Sequence, residues 1–144
     1  KRQSENYLCE PVQHYGFYLT PLQNFEKGKT VFYPHGYSNY FFHPTHPHEL
    51  IIVSTENNKV SILNCLSGEI VRTISKGKEY AFCNIDPVTG NYLFRNSYYV
   101  LITNENGDEL FRMRSEDASP YLANNILTCW AGAAINVEPY LKKP

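Results

Sequence analysis

The chain has 144 residues, 42% of them hydrophobic and 15% aromatic, with 12 Tyr and 8 Phe. That is long enough to bury a core without metals or disulfide staples, and Tyr and Phe suit half-buried pleated surfaces. A formal net charge of -1 excludes the strongly basic balance of a nucleic-acid or anionic-membrane binder, and no stretch approaches the roughly eighteen apolar residues of a membrane span.

The polar start, Lys1 to Glu10, does not read as a signal peptide. With no initiator Met, the chain is expected to be a processed product or a piece of something longer. Residues 7–33 read as the later strands of a first unit, with a hairpin turn marked by Asn24 and Gly28. Residues 40–75 read as four strands at 40–43, 50–54, 59–63 and 70–74. Residues 80–114 read the same way, at 80–85, 91–95, 98–103 and 109–113. Residues 121–137 read as the start of a further unit, with Ile126-Leu127-Thr128-Cys129-Trp130 as its first strand. No amphipathic helical period stands out.

These units are repeats. Asn24, Asn64 and Asn104 are spaced by forty residues each time, and Gly28, Gly68 and Gly107 follow them. An apolar residue precedes each Asn by two, and an apolar or β-branched run follows each Gly. Asn tolerates left-handed backbone and bonds its own chain, and Gly supplies the positive φ of a tight turn, so each segment predicts a hairpin. A second motif repeats beside it: Phe42-His43-Pro44 and Ile85-Asp86-Pro87 each close a strand, because Pro cannot donate to a ladder. Four short strands per forty residues is the pattern of a propeller blade.

On these residues the sequence resembles WD40 and related propeller repeats, most clearly over 15–114. The carriers are the Phe42-x-Pro44 and Ile85-x-Pro87 turns and the hairpin Asn64 to Glu69. Leu63-Asn64 and Thr103-Asn104 stand where a strict WD40 blade has Trp-Asp, and His35-Gly36 lies reversed near the place of the Gly-His pair. The resemblance therefore implies divergent WD40-like blades. The expected fold class is all-β, with antiparallel four-stranded blades of a partial or incomplete β-propeller. The whole of 1–144 is expected to form a single propeller-like domain: a partial blade at 7–35, blades at 36–75 and 76–114, and the start of a further blade or a closing segment at 115–144.

About three blades are fewer than a closed propeller contains. The remainder is expected from a longer chain, from self-association, or from a protein partner that completes the ring. A compact sandwich or barrel is the competing architecture.

The candidate chemistry is sparse. His43, His46 and His48 could supply imidazole to zinc, copper or nickel, but the repeat already assigns His43 to a solvent-facing turn, and no metal or other cofactor is expected. Asn104-Glu105-Asn106-Gly107-Asp108 superficially matches the start of a calcium loop, yet Ser115 stands where the twelfth-position Glu belongs. There is no Gly-x-Ser-x-Gly elbow and no phosphate loop, so no catalytic residues are assigned and no enzyme is expected. Cys9, Cys65, Cys83 and Cys129 match no zinc or redox spacing and read as small buried hydrophobes. Without an Asn-x-Ser/Thr sequon, a cytoplasmic or nuclear protein is expected, with secretion the alternative. Arg112 and Arg114 share one strand face.

The resemblance places binding on the loops between blades and between second and third strands. Here those are 34–37, 76–78 and 115–117, with 56–58 and 95–98. The residues expected to meet a protein partner are His35, Tyr37, Lys76, Lys78, Arg95 and Tyr98. The expected function is a non-catalytic protein–protein interaction scaffold. The alternative is a carbohydrate- or small-ligand-binding propeller lectin completed by oligomerisation.

Overall fold

A computed structural model describes residues 1–13, 16–56, 58–116, 119–129 and 132–143. Among the described residues there are fifteen strands in four antiparallel sheets, each a meander in which strands pair with their neighbours in the chain. The first sheet comprises β1 (Arg2–Gln3), β2 (Tyr7–Val12), β3 (Gly16–Pro21) and β4 (Lys29–Phe32). The second comprises β5 (Tyr37–Phe42), β6 (Glu49–Ser54), β7 (Val60–Asn64) and β8 (Ile70–Ile74). The third comprises β9 (Ala81–Ile85), β10 (Tyr92–Arg95), β11 (Tyr99–Thr103) and β12 (Glu109–Arg114). The fourth has three strands, β13 (Tyr121–Ala123), β14 (Ile126–Thr128) and β15 (Ala134–Asn136). The chain divides into two compact units, Lys1–Thr73 and Ile74–Pro144, each built on two of these sheets.

The middle blades fall where the repeat puts them, and the two ends differ. The segment read as a partial blade, 7–35, supplies three strands, and Arg2–Gln3 ahead of it adds a fourth by pairing with Leu8 and Cys9. The segment Ile126 to Trp130 is not a first strand. Its Ile126–Thr128 part is the central strand of the last sheet, between β13 and β15, and Trp130 lies outside the described residues. The turn residues Asn124 and Asn125 both have positive φ, 51° and 61°, the backbone of a two-residue hairpin whose twist matches its strands.

In the first unit, period-two alternation sends Tyr7, Cys9, Phe17, Leu19 and Val31 to one face of the first sheet. They pack against Leu50, Ile52, Leu63 and Cys65 of the second sheet, with Tyr37, Tyr40 and Phe42 half-buried at the seam. Phe17 is the centre of this cluster, its ring 5.0 Å from that of Tyr40 and 5.1 Å from that of Tyr37. Burying a side chain of this size contributes about 1.5–3 kcal/mol. Polar ties reinforce the seam: the Tyr7 hydroxyl meets His48 Nδ1 at 2.8 Å, and the Arg2 guanidinium donates to the Tyr40 carbonyl and Asn39 Oδ1. In the second unit, Leu93, Val100 and Ile102 of the third sheet pack against Leu122 and Leu127 of the fourth and against Val137.

The hairpins between third and fourth strands carry the forty-residue signature. Asn64 Oδ1 accepts the N–H groups of Leu66 and Ser67, and Asn104 Oδ1 accepts those of Asn106 and Asp108. Gly68 and Gly107 have φ of 77° and 87°, as the turn chemistry requires. The first hairpin departs from this. Asn24 makes no side-chain cap, Phe25–Lys27 forms a 3-10 turn, and Gly28 has φ -60°. What Gly28 provides is space, since a Cβ there would run into the Tyr18 ring.

The residue ahead of each turn proline has an unforeseen role. Asp86 is fully buried, and its Oδ1 accepts the N–H groups of Val88 and Thr89 within its own turn. The same carboxylate reaches the next sheet and accepts the N–H of Asn124 at 2.8 Å and of Asn125 at 2.9 Å. Nearby, the Asn84 side chain pairs with both backbone groups of Leu122. Burial pushes the Asp86 carboxyl upward, but hydrogen bonds from the backbone of Asn125, Val88 and Asn124 and from the Thr89 side chain outweigh it and hold the acid below its ordinary value. Its stabilisation is therefore fully present above the unfolded pKa of about 3.9 and is lost as pH falls through the lower folded value. Asp86→Ala should destabilise the second unit by on the order of 3 kcal/mol, since it orphans buried N–H donors. Asp86→Asn, which points an NH2 at donors, should flatten the loss of stability in acid, measured by urea unfolding between neutral pH and pH 3.

Candidate binding surface

The six residues expected to bind a partner fall into two groups, one in each unit. His35 and Tyr37 flank the connection from β4 to β5. The β6–β7 turn is pinned beside this connection, because the Gly36 carbonyl accepts Thr55 N–H at 3.1 Å and Ser54 Oγ at 3.3 Å. His35 is exposed, with its ring edge-on to Tyr33 at 5.4 Å. Tyr37 is half-buried and leans on Phe17, so it serves the core as well as the surface. Two clefts open on either side of this connection. One, about 270 Å³, is bounded by Phe32, His35, Glu56, Lys59, Ser61 and Ile70 among others. The other, about 210 Å³, lies over Val12, Gly16 and the segment 33–37. Asn57, within the β6–β7 turn, lies outside the described residues.

In the second unit, Lys76, Lys78, Arg95 and Tyr98 gather at one end of the third sheet. Arg95 ends β10 and pairs with Ala81 at the start of β9, which places the Lys76–Lys78 loop beside it. Asn96 Oδ1 accepts the N–H groups of Tyr98 and Tyr99, fixing the β10–β11 turn and holding Tyr98 out at 55% exposure. The end of β12 joins the group through the Ser115 N–H, which donates to the Tyr98 carbonyl at 2.7 Å. Asp117, named with this loop end, lies outside the described residues.

The sequence shows Arg112 and Arg114 on one face but not what they do there. Arg114 lies over the Tyr98 ring at 5.7 Å. Arg112 sits over Tyr80 and Tyr99, at 5.7 and 5.6 Å, and donates to the Tyr80 hydroxyl and to Glu109. Glu109 is drawn below the usual carboxylate range by its hydrogen bonds from Arg112, and Arg112 is raised by the same pair. Because the pair is solvent-accessible, it contributes little to stability. Tyrosine and arginine are the residue types that anchor protein interfaces.

The histidine cluster also reads differently in three dimensions. His43 is not solvent-facing but buried, at 5% exposure. Its Nδ1 accepts the N–H groups of Thr45 at 3.0 Å and His46 at 3.2 Å, which is the role of Asp86 in the following blade. His43, His46 and Glu49 bring ligand atoms within 4.8 Å of one another. A metal would have to bind His43 through Nε2, because Nδ1 is already an acceptor. In the neutral ring that geometry puts the only proton on Nε2, and metal-bound histidines ordinarily donate from their other nitrogen. Glu49 is held by Arg72 at 3.0 Å. The arrangement serves the turn.

The cysteines offer no activated nucleophile among those with a resolved shift: burial pushes the Cys9, Cys65 and Cys83 thiols up to about 12. His43→Ala should cost the first unit about 1–2 kcal/mol, as loss of a capping acceptor does. Zinc titration should leave the His43 ring signals unmoved in NMR spectra and should not raise the stability of the natural chain.

No family model matches the chain, and no curated protein matches it. Solved structures do. The chain is similar to apo AztD from Citrobacter koseri, with a TM-score of 0.58 at 10% identity over 76% of this chain and 32% of that one. It is similar to the β-propeller domain of Cps50 (Swd1) from Myceliophteria thermophila, with a TM-score of 0.58 at 11% identity over 86% and 45%. It is also similar to BamB from Moraxella catarrhalis, with a TM-score of 0.52 at 20% identity over 84% and 38%. The chain thus spans less than half the length of each of these structures. The likeness is one of fold: the chain is all-β, made of antiparallel blades of a partial β-propeller.

Proposed function

We propose that the chain is a non-catalytic protein–protein interaction scaffold of WD40-like blades that works as part of a larger assembly. The observation that carries this reading is the loop end of the third sheet, where Tyr98 stands exposed against Arg114 in the turn that follows Arg95. Rigid, capped turns hold these side chains out at little entropic cost, which favours binding. The lack of an activated group among Cys9, Cys65 and Cys83 supports a binding role over a chemical one.

Incompleteness is the second support. A chain covering 32% to 45% of the structures it is similar to lacks most of their length, and its described strands leave Tyr18, Tyr121 and Ile126 exposed on their faces. A further copy or a protein partner would cover such faces. Sedimentation of the isolated chain should show association that grows with concentration; a strictly monomeric species binding no apolar dye would count against this. The double variant Arg95→Ala with Tyr98→Ala should lower capture of a partner by about tenfold or more with the thermal midpoint unchanged, and unaltered capture would move the site away from this loop end.

A further inference from the structure

We propose that the cleft beside the β4–β5 connection binds a small zwitterion, an α-amino acid with an apolar side chain. This goes beyond the scaffold reading and does not rest on it. The first observation is Ser61. It is 7% exposed, its residue lines the cleft, and its hydroxyl has no hydrogen-bond partner among the described residues. The Ser61 oxygen keeps solvent access through the cleft it lines, so it can hydrogen-bond a molecule held there. Its neighbour Ser54 is already used, donating to the Gly36 carbonyl and accepting the Glu56 N–H.

The second observation is charge. Glu56 and Lys59 both line the cleft from the β6–β7 turn, and no ion pair is formed by either among the described residues. A ligand carrying only a negative charge would meet Glu56, and one carrying only a positive charge would meet Lys59. A molecule bearing an ammonium and a carboxylate satisfies both and is selected over either half.

The third is the apolar wall. Phe32 and Ile70 line the same cleft at 68% and 41% exposure, unusually open for their types. They would receive the ligand's side chain. The volume of about 270 Å³ is at the small end of ligand sites, which suits one amino acid.

The test is an NMR titration of the full chain with L-leucine. Saturable shifts are expected, confined to residues 32–36, 54–61 and 70–73. Isoamylamine and 4-methylpentanoate, each lacking one charge, should bind about tenfold or more weakly than leucine. Lys59→Gln and Glu56→Gln should each weaken leucine by a similar factor, and Ser61→Ala by about threefold. The proposal is overturned by an absence of saturable shifts at millimolar leucine, by equal binding of the two analogues, or by a preference for glucose as the probe.

Discussion

One interaction recurs at strand ends throughout this protein: a side-chain acceptor takes the N–H groups a few residues ahead of it. Ser4, His43, Asn64, Asp86, Asn96 and Asn104 all do this. A sheet made of four- to six-residue strands has many ends, and each end exposes backbone donors that a buried site cannot leave unpaired. The caps answer that need locally. They fix where each strand ends, and with it the register that sends Phe17 or Ile102 inward and leaves Tyr98 outside. Different residues serve at equivalent places: an imidazole in the second blade, a carboxylate in the third. Only the carboxylate has the spare lone pairs to reach a neighbouring sheet as well.

The rigidity this creates bears on both proposed sites. At the loop end of the third sheet, Asn96 fixes the turn that presents Tyr98, and the Tyr98 carbonyl is tied to Ser115. At the cleft, the Gly36 carbonyl holds the β6–β7 turn, and with it Glu56 and Lys59, against the neighbouring connection. In each case the binding side chains project from backbone that is already ordered, so little entropy remains to be lost when something binds.

Much of the fold was legible because it repeats locally. Asn64 and Asn104 announced their hairpins, and the x-Pro turns announced strand ends, so the second and third sheets lie within a few residues of expectation. The ends of the chain were not legible for physical reasons. Arg2–Gln3 is too short to show alternation, and it is a strand only because the edge of β2 is there to pair with it. The Asn124-Asn125 turn splits a run that reads as one strand leading to Trp130. Contacts between sheets were invisible as well. Nothing local marks Asp86 as the acceptor for residues 38 and 39 positions ahead, or Ser61 as a hydroxyl that lines a cleft. Of the six binding residues, their loops could be read from the repeat; the cation–π stacking of Arg114 on Tyr98, which gives that surface its character, could not.

The carboxylate of Asp86 also constrains what kind of blade the third one is. Two of its hydrogen bonds come from the fourth sheet. If the fourth sheet were deleted, a charge adapted to burial would lose two donors and be uncovered. If the third sheet were deleted, the Asn124-Asn125 hairpin would lose its anion and keep two inward-facing N–H groups. The two sheets therefore cannot be exchanged or trimmed independently, as modules in a linear array often can. A recombination boundary between residues 86 and 124 would part a buried carboxylate from two of its donors.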